Sequence, residues 1–68
     1  MLDVEMLKKT YRRGMRICLE HMADDTAPIP DNTLGTIDHV DDIGTIHVVF
    51  DNKRELGIFP GVDYFHLM

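Results

Sequence analysis

Residues 34–52 read Leu-Gly-Thr-Ile-Asp-His-Val-Asp-Asp-Ile-Gly-Thr-Ile-His-Val-Val-Phe-Asp-Asn. Two β-branched runs meet at an Asp-Asp-Ile-Gly turn, and a second turn follows at Asp51-Asn52-Lys53. β-Branched and aromatic residues favour a pleated surface, and the Gly-containing connections set how the strands return. Ile46, Val48 and Phe50 alternate cleanly and are expected in the core. Ile37 and Val40 are three apart, which predicts a bulge or bend in the preceding strand, eased by Gly35. The turn admits two registers. A two-residue loop sets Ile37 opposite Val48, Asp38 opposite His47 and His39 opposite Ile46. A three-residue loop with left-handed Gly44 sets His39 opposite His47.

Around this hairpin the chain is short. Its 68 residues make one domain, read as an N-terminal helix over 1–13 and a small β-barrel over 14–68. A domain of this size buries only about 60% of the surface its unfolded chain exposes, so little depth is left for a catalytic pocket. The single cysteine, Cys18, has no partner for an internal disulfide, which suits a reducing, cytoplasmic setting. No signal peptide or membrane span is expected: Met1-Leu2 runs directly into Asp3 and Glu5.

Val4, Leu7 and Tyr11 fall on one helical face, with Leu2 and Met6 beside them, Asp3 as cap and Gly14 as stop. Met15–Glu20 follows as a strand, with Ile17 and Leu19 inward and Cys18 on the alternate face, where an exposed thiol is conceivable but an inert small residue is expected. His21–Thr33 is a long, acidic connection from which Pro28 and Pro30 exclude a central strand. It is either functional or an arm packed down by Met22 and Ile29. Glu55–Phe59 is a fourth strand. Pro60-Gly61-Val62-Asp63 breaks the sheet as a tight helical turn, and Tyr64–Leu67 is a fifth strand. Together these predict a mainly β fold, a small five-stranded SH3-like barrel with a short N-terminal α-helix.

Several spaced strings agree in order with one family. They are His21-Met-x-Asp24-Asp25, Pro30-x-x-Thr33-x-Gly35-Thr-Ile37, Val40-Asp-Asp-x-Gly44-x-Ile46-His47-Val48, Phe50-Asp51-Asn52 and Pro60-Gly61-Val62-Asp63. Over about Tyr11 to Leu67 they closely resemble the small domain catalogued as domain of unknown function 4314. The resemblance implies a fold and a setting in bacteria, their phages and conjugative elements. It implies no catalytic residues. The chain departs from the family at Phe50, where a tryptophan is usual, and at Lys53-Arg54-Glu55, where glycine and small polar residues are usual.

Chemistry-bearing patterns are sparse. There is no serine, hence no Gly-x-Ser-x-Gly, and the scattered glycines form no phosphate cradle. His21 with Asp24 and Asp25, and His39 with Asp41 and His47, lack any recognised metal-ligand spacing. No enzyme activity, cofactor or metal is expected.

Charge is the stronger signal. Residues 1–16 carry five basic side chains against two acids, net +3, and residues 17–68 carry two against ten, net −8. The expected function is therefore a non-catalytic interaction module. It would bind a protein partner through an acidic loop surface of Asp24, Asp25, Asp31, Asp41 and Asp42, with Tyr64 beside it. Proline-rich ligands are not expected, since the chain has no tryptophan and only five aromatic residues. Two alternatives stand beside it. One is a phage or mobile-element anti-defence inhibitor acting on a nucleic-acid-binding host protein. The other is direct nucleic-acid binding through Lys8, Lys9, Arg12, Arg13 and Arg16, which the acidic body opposes. Met1, Leu2, Met6 and Leu7 also offer a surface for self-association.

Overall fold

The hairpin organises the whole molecule. The computed structural model describes residues 3–23 and 28–68. The elements are α1 (Val4–Thr10), β1 (Arg16–His21), β2 (Thr33–Val40), β3 (Ile46–Phe50), β4 (Glu55–Ile58) and β5 (Tyr64–Leu67). The five strands are antiparallel in one sheet of order β4-β3-β2-β1-β5. The expected closed barrel is not formed. β4 and β5 remain the two edges, and the chain passes between them through a turn rather than a ladder.

Both hairpin registers occur, in succession. Ile37 faces Val48, and then His39 faces His47 and Val40 faces Ile46. Asp38 is the extra residue that reconciles them, which is the bulge the Ile37–Val40 spacing predicted. The bulge keeps both Ile37 and Val40 on the buried face. Gly35 is required for packing. A Cβ there would lie 2.6 Å from Val48 Cγ1 and 3.0 Å from Phe50 Cδ1.

Ile17, Leu19, Ile37, Ile46, Val48, Phe50 and Ile58 form the core. Each such side chain contributes about 1.5–3 kcal/mol on full burial. Met22 and Ile29, from the two sides of the long connection, are buried in the same cluster and cover the sheet. Cys18 is not exposed. It lies between Leu34 and His66 in its two ladders and is only 9% accessible.

The helix is shorter than its sequence pattern. Asp3 caps it, accepting from Met6 N at 3.2 Å. It ends at Tyr11 because the following residues are claimed by the sheet: Gly14 N donates to Ile37 O at 2.9 Å, and Met15 O accepts from Ile37 N at 2.8 Å. Leu7 and Tyr11 pack on the core, with the Tyr11 ring 5.5 Å from that of Phe65. No helix among the described residues is long and apolar enough to cross a membrane.

Candidate functional site

Among the described residues, most motifs of the sequence have a local structural job. Asp41 builds the β2–β3 turn. Its Oδ1 accepts from Ile43 N at 3.1 Å and from Thr45 N at 2.9 Å, while Gly44 takes the left-handed conformation at φ 90°. Thr33 Oγ1 donates to Pro30 O at 2.6 Å, and Asn52 Oδ1 accepts from Arg54 N at 3.1 Å. Asp63 is the buried member of the set, 6% exposed. Its two oxygens accept from Ala23 N and Phe59 N, both at 2.9 Å, which ties the long loop to the β4–β5 crossing. Asp63 stands in the Pro60-Gly61-Val62-Asp63 string, whose pattern alone does not point to this role. The available signal was an aspartate closing a Pro-Gly turn.

The expected acidic surface is divided by β2. Asp41 and Asp42 follow its C-terminal end, and Asp31 precedes its N-terminal end. At about 3.3 Å per residue, an eight-residue strand holds these groups well apart. Asp42, 96% exposed at its side chain, pairs with Lys8 at 2.7 Å. Asp31 pairs with His21 Nδ1 at 3.1 Å. Tyr64, 65% exposed, faces His21 in the β1–β5 ladder and so belongs to the Asp31 end. Asp24 and Asp25 lie outside the described residues.

Three of the five basic side chains reach back to the body of the chain. Lys8 holds Asp42. Arg13 Nε donates to Asp38 O at 2.9 Å. Arg16 grips Asp51 through two bonds of 2.8 and 2.6 Å and donates to Thr36 Oγ1 at 2.9 Å. The Arg16 fork holds the Asp51 carboxyl below its usual range, and Asp51 raises the guanidinium in turn.

All four imidazoles contact a carboxylate: His21–Asp31, His39–Asp38 at 2.5 Å, His47–Asp41 at 2.8 Å and His66–Glu20 at 3.0 Å. An ionised carboxylate only accepts, so the contacting ring nitrogen donates. The His39 and His47 rings also stack, with centroids 4.4 Å apart and planes 11° from parallel. The hydrogen bond from His39 lowers the Asp38 pKa, with the Arg13 and imidazole charges adding to it. The bond from His47, then those from the Thr45 and Ile43 amides, lowers that of Asp41. Sequence reading placed His39 opposite His47 in one of its registers. The stack itself depends on the bulge that selects that register near the turn. No cluster of three or more metal-ligating side chains occurs among the described residues.

Exposed apolar side chains mark the β4–β5 crossing: Phe59 is 48% exposed and Val62 49%. Sequence reading placed Phe59 in strand four and gave neither residue a surface role. Alternation cannot find them, because the crossing is not a strand. A family model described as Domain of unknown function (DUF4314) matches residues 2–68. No curated protein and no solved structure matches the chain.

Proposed function

The chain belongs to the DUF4314 family, and we propose that it is a non-catalytic interaction module in an SH3-like arrangement. It binds a basic, partly apolar segment of a protein partner along the β4–β5 crossing, from Phe59 to Tyr64. The observation that carries this is the run of exposed Phe59, Val62 and Tyr64 along the crossing that Asp63 fixes to the acidic loop. An apolar strip offers contact area, and its rim supplies the sign of charge. Asp31 and the net −8 of residues 17–68 favour a basic partner and speed its encounter. The order β4-β3-β2-β1-β5 is compatible with an SH3-like arrangement left open between β4 and β5, where the crossing joins the two edges. The single buried thiol suits a cytoplasmic setting.

Selection from a displayed random-peptide library tests the proposal. Enriched peptides should combine Lys or Arg with apolar side chains. Their affinity should fall about tenfold, roughly 1.4 kcal/mol, in Phe59→Ser and Tyr64→Ala. Asp42→Asn, whose carboxylate is already held by Lys8, should leave it unchanged. No enrichment, or peptides indifferent to Tyr64, overturns the assignment.

A further inference from the structure

Two shallow grooves meet at His39. One, of about 250 Å³, lies between α1 and the hairpin and is lined by Lys8, Tyr11, Arg12, Arg13, Asp38 and His39. The other, of about 240 Å³, runs over β3 and β4 and is lined by His39, His47, Val49, Leu56 and Glu55. We infer that this double groove binds single-stranded nucleic acid, with phosphates on Lys8, Arg12 and Arg13 and bases against the His39–His47 stack.

The cations are arranged for this. Arg13 is held by its Nε bond to Asp38 O, and among the described residues its terminal amino groups form no hydrogen bond or ion pair. A guanidinium fixed at one nitrogen presents the rest of its fork to a phosphate at reduced entropic cost. Lys8 is held only by the exposed carboxylate of Asp42, which a phosphate can displace. The imidazole stack gives flat, polarisable surface directly beside the cations, and base stacking on such rings is tolerant of sequence. The acids nearby are mostly occupied: Asp38 by His39, Asp41 by His47 and Asp42 by Lys8. Glu55 lies on the base side, where a carboxylate accepts from an exocyclic amino group. An acidic peptide would use the cations and leave the imidazole groove unfilled. Arg16 drops out of the basic set that the sequence offered, because Asp51 holds it. The net charge of −5 repels a polyanion at long range and the phosphate contacts weaken as salt rises, so binding is modest and falls with added salt.

Fluorescence anisotropy with a labelled strand of about 12 nucleotides, within the roughly 4–16 spanned by small barrels, reads this out. Three phosphate contacts at about −0.7 each predict a log–log salt slope near −2. Arg12→Ala and Arg13→Ala should each weaken binding several-fold and flatten that slope. His39→Ala should weaken it with the slope kept. Asp42→Asn should tighten it, since Lys8 is released and an acid removed. Lys53→Ala with Arg54→Ala, cations outside the lining of both grooves, should weaken binding less than either Arg12→Ala or Arg13→Ala and leave the slope near −2. Thermal melts confirm that each variant is folded. Absence of binding by the wild-type chain, equal binding of polyglutamate, or an equal loss in the Lys53/Arg54 pair overturns the inference. Tyr64→Ala should not affect it, so failure here is separable from failure of the peptide-binding proposal.

Discussion

Two turns of this molecule share one geometry and differ in the residues that build it. In the first, Asp41 N donates to Thr45 O and Gly44 N to Asp41 O. In the second, Phe50 N donates to Arg54 O and Lys53 N to Phe50 O. Each is a three-residue loop whose last member is left-handed, Gly44 at φ 90° and Lys53 at φ 71°. Glycine meets that demand without penalty, and lysine does not. The first turn is also braced from within, by the Asp41 carboxylate on two of its own amides. The second has only Asn52 on Arg54 N, while its aspartate, Asp51, is directed to Arg16 on β1. Turn geometry is thus imposed by the ladders on either side, and local residues decide only how much strain it carries.

The β4–β5 crossing extends the contrast to a third, buried brace, and gives the largest expected effect. Asp63→Ala leaves the Ala23 and Phe59 amides without acceptors and should cost about 3 kcal/mol at ~1–3 kcal/mol per orphaned group. Chemical denaturation measures it. A loss no greater than that of Asp41→Ala would show that the exposed turn, and not the crossing, is the more dependent on its aspartate.

Acid separates the first two turns next. Asp38, Asp41 and Asp51 all have folded pKa values below their unfolded ones. The stability they contribute is therefore complete above the unfolded value, near 3.9, and is lost as pH falls below it through the folded values. Amide exchange followed by NMR should show Ile43 and Thr45 losing protection below about pH 4, ahead of Arg54. Asp41→Asn should remove that order. Simultaneous loss at both turns would break the distinction.

The smallest effects exchange the left-handed residues. Gly44→Lys should destabilise by about 1–2 kcal/mol, the usual penalty for a side chain in this conformation. Lys53→Gly should stabilise by about 0.5 kcal/mol, since relief of strain exceeds the entropy glycine gains in the unfolded chain. Paired thermal melts measure both. Equal and opposite shifts would mean that the two turns are interchangeable.

Much of this architecture was legible in the residues. Alternation identified Ile17, Leu19, Ile46, Val48 and Phe50, since period-two burial is a local property. The Ile37–Val40 spacing located the bulge, and Met22 and Ile29 were open to reading as a cover over the sheet. Other features were not legible because they depend on distant partners. The helix stops early because Ile37 claims the backbone at Gly14 and Met15. Cys18 is buried because Leu34 and His66 flank it. Arg16 leaves the basic cluster because Asp51 is in reach. Asp31 and Asp42 look alike in composition, yet β2 separates them.

By itself, the sequence determined the strand pattern, the turn chemistry of Asp41 and Gly44, the membership of a family and the division of charge between +3 and −8. Tertiary structure alone decided that the sheet stays open between β4 and β5, that His39 and His47 stack beside Arg13, and that Phe59, Val62 and Tyr64 face outward. The physical reason is range. Propensity, alternation and turn bonding act over a few residues, whereas grooves and charge pairs are set by groups tens of positions apart that only strand register brings together.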